Sequence, residues 1–267
     1  MSWHTAGYEG AKQEEKRLDA QHGPSRFWMK DGNSQKEIVF IDDEPFGIYE
    51  HQPKINGDWK NWITCLAGSQ DDVACCLILQ QKAPKYYAGY YTVVDCTEAT
   101  SEDSKKYMYE MKYLPAKLGT VKKFKLKKES REEKSLVGCL YTVSRTSSKA
   151  PSVGEDFEFK RMVVPAKLFE VATYKGRKLS EMWNKAESSA EEMEKLKRLF
   201  KVKMDPQAQG KLLREVVPFN YMELLQPKSS KEIRLQLAGA NIEDRDGSFG
   251  GSSGGGSAPK VEGDIPF

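Results

Sequence analysis

The sequence predicts an α+β protein in which an OB-type β-barrel core with insertions is followed by a helical C-terminal region and a disordered tail. Three observations carry this. Between Arg26 and Met162, short runs rich in β-branched and aromatic residues alternate with turn formers, and one helical stretch interrupts them. After Pro165, apolar residues recur at helical spacing, as at Met193, Leu196, Leu199 and Phe200. From Gly250 to Ser257 the chain is Gly and Ser alone, a composition that buries nothing. The divisions that follow are an arm over 1–24, the barrel over 25–163, the helical region over 164–243 and the tail over 244–267.

Taken in order, Glu9 to Gln21 is charged and helix-permissive with few apolar positions, and Gly23-Pro24 ends it. Strands are expected over Phe27 to Lys30, Glu37 to Ile41, Phe46 to Gln52, Trp59 to Leu66 and Lys85 to Asp95. Asp31-Gly32-Asn33 and Asn56-Gly57-Asp58 supply turns between them. A strand over Lys106 to Tyr113 precedes a helix over Ala116 to Lys128, and two more strands cover Leu136 to Arg145 and Glu155 to Met162. Helices are expected over Leu179 to Lys185, Ala190 to Lys203, Gly210 to Leu225 and Lys231 to Leu237, with Pro227 separating the last two.

The 267 residues suffice for one large or two small domains, and a mean hydropathy of −0.67 describes a very polar surface. No apolar run approaches a membrane span, and Met1-Ser2-Trp3-His4 lacks a signal-peptide pattern, so the expected location is cytoplasmic, with no membrane partner. The net charge of +3 is unevenly spread. Ser101 to Lys149 carries thirteen Lys and Arg against six acids, whereas Asn241 to Phe267 carries two against five. A basic middle with an acidic tail suits a protein that binds a polyanion, although a Lys-rich helix face is also what ordinary solvation produces. Five cysteines without an export signal point to free or metal-bound thiols rather than disulfides.

The densest aromatic cluster lies in Lys85-Tyr86-Tyr87-Ala88-Gly89-Tyr90-Tyr91. In a strand, Tyr86 and Tyr90 face one way and Tyr87 and Tyr91 the other, so one pair fills an interior while the other is left for a groove. Exposed rings hold single strands by stacking, at roughly 1–3 kcal/mol per base; the same rings equally suit cross-strand packing. Gly89, between the pairs, implies something close to the backbone. Lys54, Trp59, Lys60 and Trp62 alternate basic and aromatic character around the Asn56-Gly57 turn, and Lys105, Lys106, Tyr107 and Tyr109 repeat the combination. Trp28 and Lys30 belong to the same candidate surface, and Lys122 and Lys123 extend it along a helix.

His51, Cys65 and Cys75 have a spacing that can supply three ligands to a structural zinc ion, with Cys76 as the fourth. Adjacent cysteines seldom share one tetrahedral ion, and the same residues read equally as small buried thiols, so no cofactor is required. Catalytic motifs are missing: His4, His22 and His51 sit in no nucleophile or hydrolase pattern, and the Gly-rich run lacks the flanking strand, helix and Lys-Ser/Thr of a phosphate loop. A binding protein, not an enzyme, is expected.

Four stretches, Arg26-Phe27-Trp28 with Glu37-Ile38-Val39-Phe40-Ile41, His51 through Cys65 to Cys75, Tyr86 to Asp95, and Lys106 to Phe124, resemble in order and spacing the single-stranded DNA-binding proteins of T-even-like phages. That resemblance implies an OB fold with a zinc-stabilised subdomain beside a basic, aromatic-lined cleft. In that family one His and three Cys hold the zinc, the last Cys three positions after the one before it, and here that place is Ile78. The family's basic arm is only faintly echoed by Lys12, Lys16 and Arg17. The tip Asp264-Ile265-Pro266-Phe267 resembles instead the C-terminal tip of bacterial single-stranded DNA-binding proteins, whose terminal Phe fills an apolar pocket on a partner. Together the resemblances imply a phage protein in the host cytoplasm that coats single-stranded DNA in replication, recombination and repair and recruits enzymes through its tip, self-association remaining open. A protein-interaction adaptor and an RNA-binding regulator are the alternatives.

Overall fold

The computed structural model of the chain describes residues 23–30, 32–58, 62–67, 74–79, 82–97, 109–208, 210–238 and 242–243. The predicted arm, apart from residues 23 and 24, and the whole of the tail expected over 244–267 lie outside them. The described residues form a mixed α+β structure built on one large sheet.

Its central strand is β6 (Tyr86–Asp95), ten residues of which eight are buried. One edge of β6 pairs antiparallel with β7 (Glu110–Lys117) over its last eight residues, Ala88 opposite Lys117 and Asp95 opposite Glu110. The other edge is shared by two strands in sequence: β2 (Ser34–Phe40) takes the C-terminal part of β6 and β3 (Phe46–His51) the N-terminal part. Phe40 faces Val93 and Phe46 faces Tyr90, so residues 41–45 bulge opposite residues 91–92. The Asp42 carboxylate fills the resulting gap in the ladder by accepting the Thr92 backbone N–H, and Thr92 Oγ1 accepts from the Phe219 N–H at 3.0 Å. Asp42 is only 9% exposed, and its burial lifts the carboxyl to about 6.

Beyond β2 the sheet continues through β8 (Cys139–Arg145) to β9 (Asp156–Met162). Past β7 it continues through the short β10 (Thr173–Tyr174) and β11 (Arg177–Lys178). The sheet is open: among the described residues no ladder joins β9 to the far edge of β7. A single chain segment bridges the gap. Here β1 (Ser25–Arg26) lies parallel to β7, with Arg26 opposite Tyr113, and the Phe27 N–H donates to Tyr113 O at 2.8 Å. The Met29 N–H then donates to Ser152 O at 2.8 Å, in the loop between β8 and β9. Buried Arg145 fixes this bridge, its guanidinium donating to the carbonyls of Met29 and Lys30 as well as to Ser148 O. Four extended residues with one backbone bond to each side replace the strand that closure would need, so the predicted strand Phe27 to Lys30 is a bridge instead.

Strand alternation sorts the core into two faces. On one, Phe40, Tyr91, Leu114, Tyr141 and Phe157 surround Phe124 of α2 (Leu118–Glu129), with ring centroids of Phe124 at 4.9 Å from Phe40 and 4.7 Å from Phe157. On the other, Val39, Tyr90, Val94 and Met111 meet α3 (Pro165–Val171), α4 (Leu179–Ser188) and α5 (Ala190–Leu199) through Leu168, Phe169, Trp183 and Leu196. Pro165 opens α3, where its missing N–H is no loss. Ser189 caps α5 by accepting the Glu192 N–H. The helical region is thus the second layer of the sheet's own core.

The predicted helix over Gly210 to Leu225 shrinks to α6 (Tyr221–Leu224). Residues before it run extended against the chain leaving α5, with bridges Phe200–Phe219 and Met204–Leu212. Pro218 cannot donate within a helix, and β-branched Val216 and Val217 favour the extended form. The close approach expected at Gly89 is present: a Cβ there would lie 2.8 Å from the side chains of Pro45 and Val121.

A third, smaller core belongs to a module between β3 and β6, containing β4 (Lys54–Ile55), β5 (Ile63–Thr64) and α1 (Ala74–Leu79). Asn56 and Gly57, both at positive φ, turn the chain after β4 as the sequence indicated. The C-terminal end of the described chain completes this module. Ile233 and Leu237 of α7 (Ser230–Leu237) pack among Cys65, Leu66, Cys75 and Leu79, and β12 (Ile242–Glu243) pairs antiparallel with β4. The Ser229 and Glu232 capping box starts α7 where Pro227 stops the preceding chain.

Candidate metal centre and nucleic-acid interface

β3 ends on His51, and its antiparallel partner β5 carries the chain straight to Cys65, whose N–H donates to Tyr49 O at 2.8 Å. Cys75 and Cys76 follow from the first turn of α1. The four side chains converge so that their ligand atoms all lie within 4.8 Å of one another. Cys65 and Cys76 sulfurs are 3.3 Å apart, and Cys76 Sγ is 3.6 Å from His51 Nε2. Metal–sulfur bonds of about 2.3 Å in a tetrahedron place sulfurs about 3.8 Å apart, so the Cys65–Cys76 pair would open slightly and the widest separations, up to 4.8 Å, would close to form a ligand shell.

The surroundings also suit a cation. His51 Nδ1 lies 2.8 Å from Ala83 O, which assigns the proton to Nδ1 and leaves the Nε2 lone pair facing the sulfurs. Burial holds the imidazole below its usual range, favouring the neutral, ligating form. The Leu66 N–H donates to Cys75 Sγ at 3.3 Å. Without a cation, burial and then the Cys65 sulfur push the Cys76 thiol up to about 12. A neutral imidazole and three sulfurs form a soft donor set that can hold a metal ion. Cys76, and not position 78, completes it: Ile78 is 39% exposed. Two consecutive helix positions, only about 100° apart, thus both reach the cluster.

The adjoining residue, Glu50, couples this module to the sheet. It is 4% exposed and accepts hydrogen bonds from the hydroxyls of Tyr86, at 2.9 Å, and Tyr90. Burial raises its carboxyl above the usual range, and the tyrosine bonds and the Arg26 charge only partly offset this. Above the pair lies a basic and aromatic strip. The Arg26 guanidinium sits over the indoles of Trp28 and Trp62, at 5.0 and 4.4 Å from their centroids. Lys117 lies 5.6 Å from the Tyr86 ring, beside Trp62. On the opposite face of β3 and β6, exposed Tyr49 packs edge-on against Tyr87 at 5.9 Å, with Lys85 Nζ at 5.4 Å from its centroid.

Trp28, Trp62 and Tyr86 are therefore brought together, and Lys85 and Tyr87 form a second aromatic patch. The other expected contacts are placed elsewhere. Tyr90 and Tyr91 are 5% and 2% exposed, one in each face of the core, so their rings are packing residues. The alternation expected for the four tyrosines holds, but the inner member of each pair is closed to solvent. Tyr109 packs against the helical layer at the start of β7. Lys30 is exposed at the end of the bridge and Lys54 lies on β4 beside β12. Lys122 and Lys123 are exposed on α2, where Lys123 donates to Glu155 O at 2.9 Å. Trp59, Lys60, Lys105, Lys106, Tyr107, Asp264, Ile265, Pro266 and Phe267 lie outside the described residues.

Arg26, Tyr49, Glu50 and Lys117 were missed as individual site residues. Arg26 is two positions before Trp28, the spacing that puts two strand residues on one face, and this was the available signal. Lys117 is found only through the register of β7 on β6. The chain matches no protein-family model, and no curated protein is significantly similar to it. Among the described residues no helix is long and apolar enough to cross a membrane.

Proposed function

We propose that the protein is a non-enzymatic single-stranded DNA-binding protein. The observation that carries the reading is the strip in which Trp28, Arg26, Trp62, Tyr86 and Lys117 lie together beside the His51/Cys65/Cys75/Cys76 module. Cations neutralise phosphates and exposed rings stack on bases whatever their sequence, which is the chemistry of general single-strand binding. In this reading the open sheet with its bridging segment is an elaborated OB-type barrel, the module holds a structural zinc ion, and the module forms one wall of the strand's path. Zinc would supply only a fold-stabilising charge there; stacking and phosphate contacts fall to the chain's own residues. The tip Asp264 to Phe267 would recruit replication or repair enzymes in the cytoplasm of the host.

Burial of Tyr90 and Tyr91 favours the second reading, an adaptor that packs its aromatics inside and docks only by its tip. Titration of fluorescent oligo-dT and matched duplex across a salt series separates the two. For the single strand, log K is expected to fall with log salt at about −0.7 per phosphate neutralised, with quenching of tryptophan emission. Trp62→Ala is expected to cost about 1–3 kcal/mol of single-strand affinity. A wild-type chain that leaves oligo-dT unbound at low salt refutes the reading and puts the adaptor in its place.

A further inference from the structure

Among the described residues the Arg26 side chain is only partly satisfied. Its guanidinium lies over two indoles, and its Nε is buried without a hydrogen-bond acceptor among the described residues. Glu50, the buried acid on which its charge acts, accepts from the hydroxyls of Tyr86 and Tyr90 and leaves the Arg26 Nε without a bond. A buried donor that finds no acceptor within the fold marks a place where an external acceptor belongs. The backbone holds the residue firmly: β1 registers Arg26 on Tyr113, and the Phe27 N–H anchors the next peptide at 2.8 Å. Trp28, one of the two indoles against the guanidinium, is 41% exposed.

We propose that Arg26 receives one backbone phosphate of a single strand, between two nucleotides whose bases stack on Trp28 and Trp62. The inference rests on the single-strand reading and assigns to that site a base–phosphate–base step. The guanidinium fork suits a phosphate geometrically, and the arrangement requires flat ligands on both sides of it. A lysine keeps the charge but loses both the fork and the planar contact with the indoles. Arg26 therefore acts in two ways, contacting the strand and holding the two stacking platforms at a fixed spacing.

The test uses the full chain and its Arg26→Ala and Arg26→Lys variants, with oligo-dT as the probe and thermal unfolding as a control for folding. Arg26→Ala is expected to lose about tenfold in affinity at low salt, and its salt slope to become shallower by about 0.7, the share of one phosphate. Arg26→Lys is expected to keep the wild-type slope but to lose affinity and part of the tryptophan quenching. Variants that fold and match the wild type within twofold in affinity, in slope and in quenching overturn this inference alone. A wild-type chain that binds no single strand overturns the functional reading and this inference with it.

Discussion

Replacing Asp42 with Asn separates the cost of a buried charge from the value of the hydrogen bond it makes. Asp42 sits in the bulge between β2 and β3, accepts the Thr92 N–H, and is 9% exposed. Burial is the largest influence on it, lifting the carboxyl from 3.8 to about 6 despite the Thr92 bonds and the Lys201 charge. A folded value above the unfolded one means that the contribution to stability is complete below about pH 4 and is lost as pH rises through about 6. The full difference corresponds to about 3 kcal/mol at pH 7.5. That figure is already net of the Thr92 bonds; Asn keeps an oxygen for Thr92 but brings an amide donor into the site, which costs about 1–2 kcal/mol where it finds no acceptor. Asp42→Asn is therefore expected to be about 1–2 kcal/mol more stable than wild type at pH 7.5, and no more stable than it at pH 4. At about 2–4 °C per kcal/mol for a chain of this size, the rise in Tm at pH 7.5 is about 2–8 °C. Parallel thermal melts of the two proteins between pH 4 and 8 isolate this one group, because the remaining titrations cancel in the difference. A difference in Tm that stays constant across that range, or a variant less stable at pH 7.5, refutes the argument that desolvation outweighs the bond.

Three further outcomes are expected. Cys76→Ser should abolish stoichiometric zinc uptake measured by elemental analysis, while Ile78→Ser leaves it intact; the reverse pattern would move the fourth ligand to position 78. Tyr91→Ala, in the α2 face of the core, should cost about 3–5 kcal/mol of stability in denaturant melts, whereas Tyr87→Ala should cost less and weaken oligo-dT binding instead. A chain lacking Phe267 should bind oligo-dT as tightly as wild type yet fail to retain replication or repair enzymes in pull-downs from host extract, and full retention would remove the recruiting role from the tip.

Much of the sheet was legible because strand patterning is local. The ten residues from Tyr86 to Asp95 announce a buried strand, and their alternation assigned the tyrosines to the right faces. Sequence alone left open which tyrosine of each pair would remain exposed, since that depends on what covers each face: Tyr90 lies under the helical layer and Tyr91 against Phe124. The His51, Cys65 and Cys75 spacing was readable as a ligand set, but the adjacency of Cys75 and Cys76 argued against it. The resolution lies in the start of α1, where consecutive positions both turn toward His51. Arg26 was legible only through its spacing from Trp28; the rest of its significance comes from Trp62, thirty-six positions later, and from the parallel register on β7. The helix wrongly expected before Leu225 yielded to Pro218 and to the pairing of Phe200 with Phe219, a contact no local window contains.

The docking of α7 and β12 onto the cysteine-bearing module changes where the protein can be cut. Ile233 is wholly buried there, and Lys82 Nζ donates to Ile242 O at 2.7 Å. A truncation intended to remove the acidic end must therefore stop after Glu243; one placed at Pro227 would strip Ile233 and Leu237 from the module's core. The same attachment gives the remaining residues a fixed root. Under the proposed function, an enzyme captured by the tip would stay covalently tied to Glu243, which pairs with Lys54, and would meet the bound strand at an effective concentration set by the length of the intervening chain.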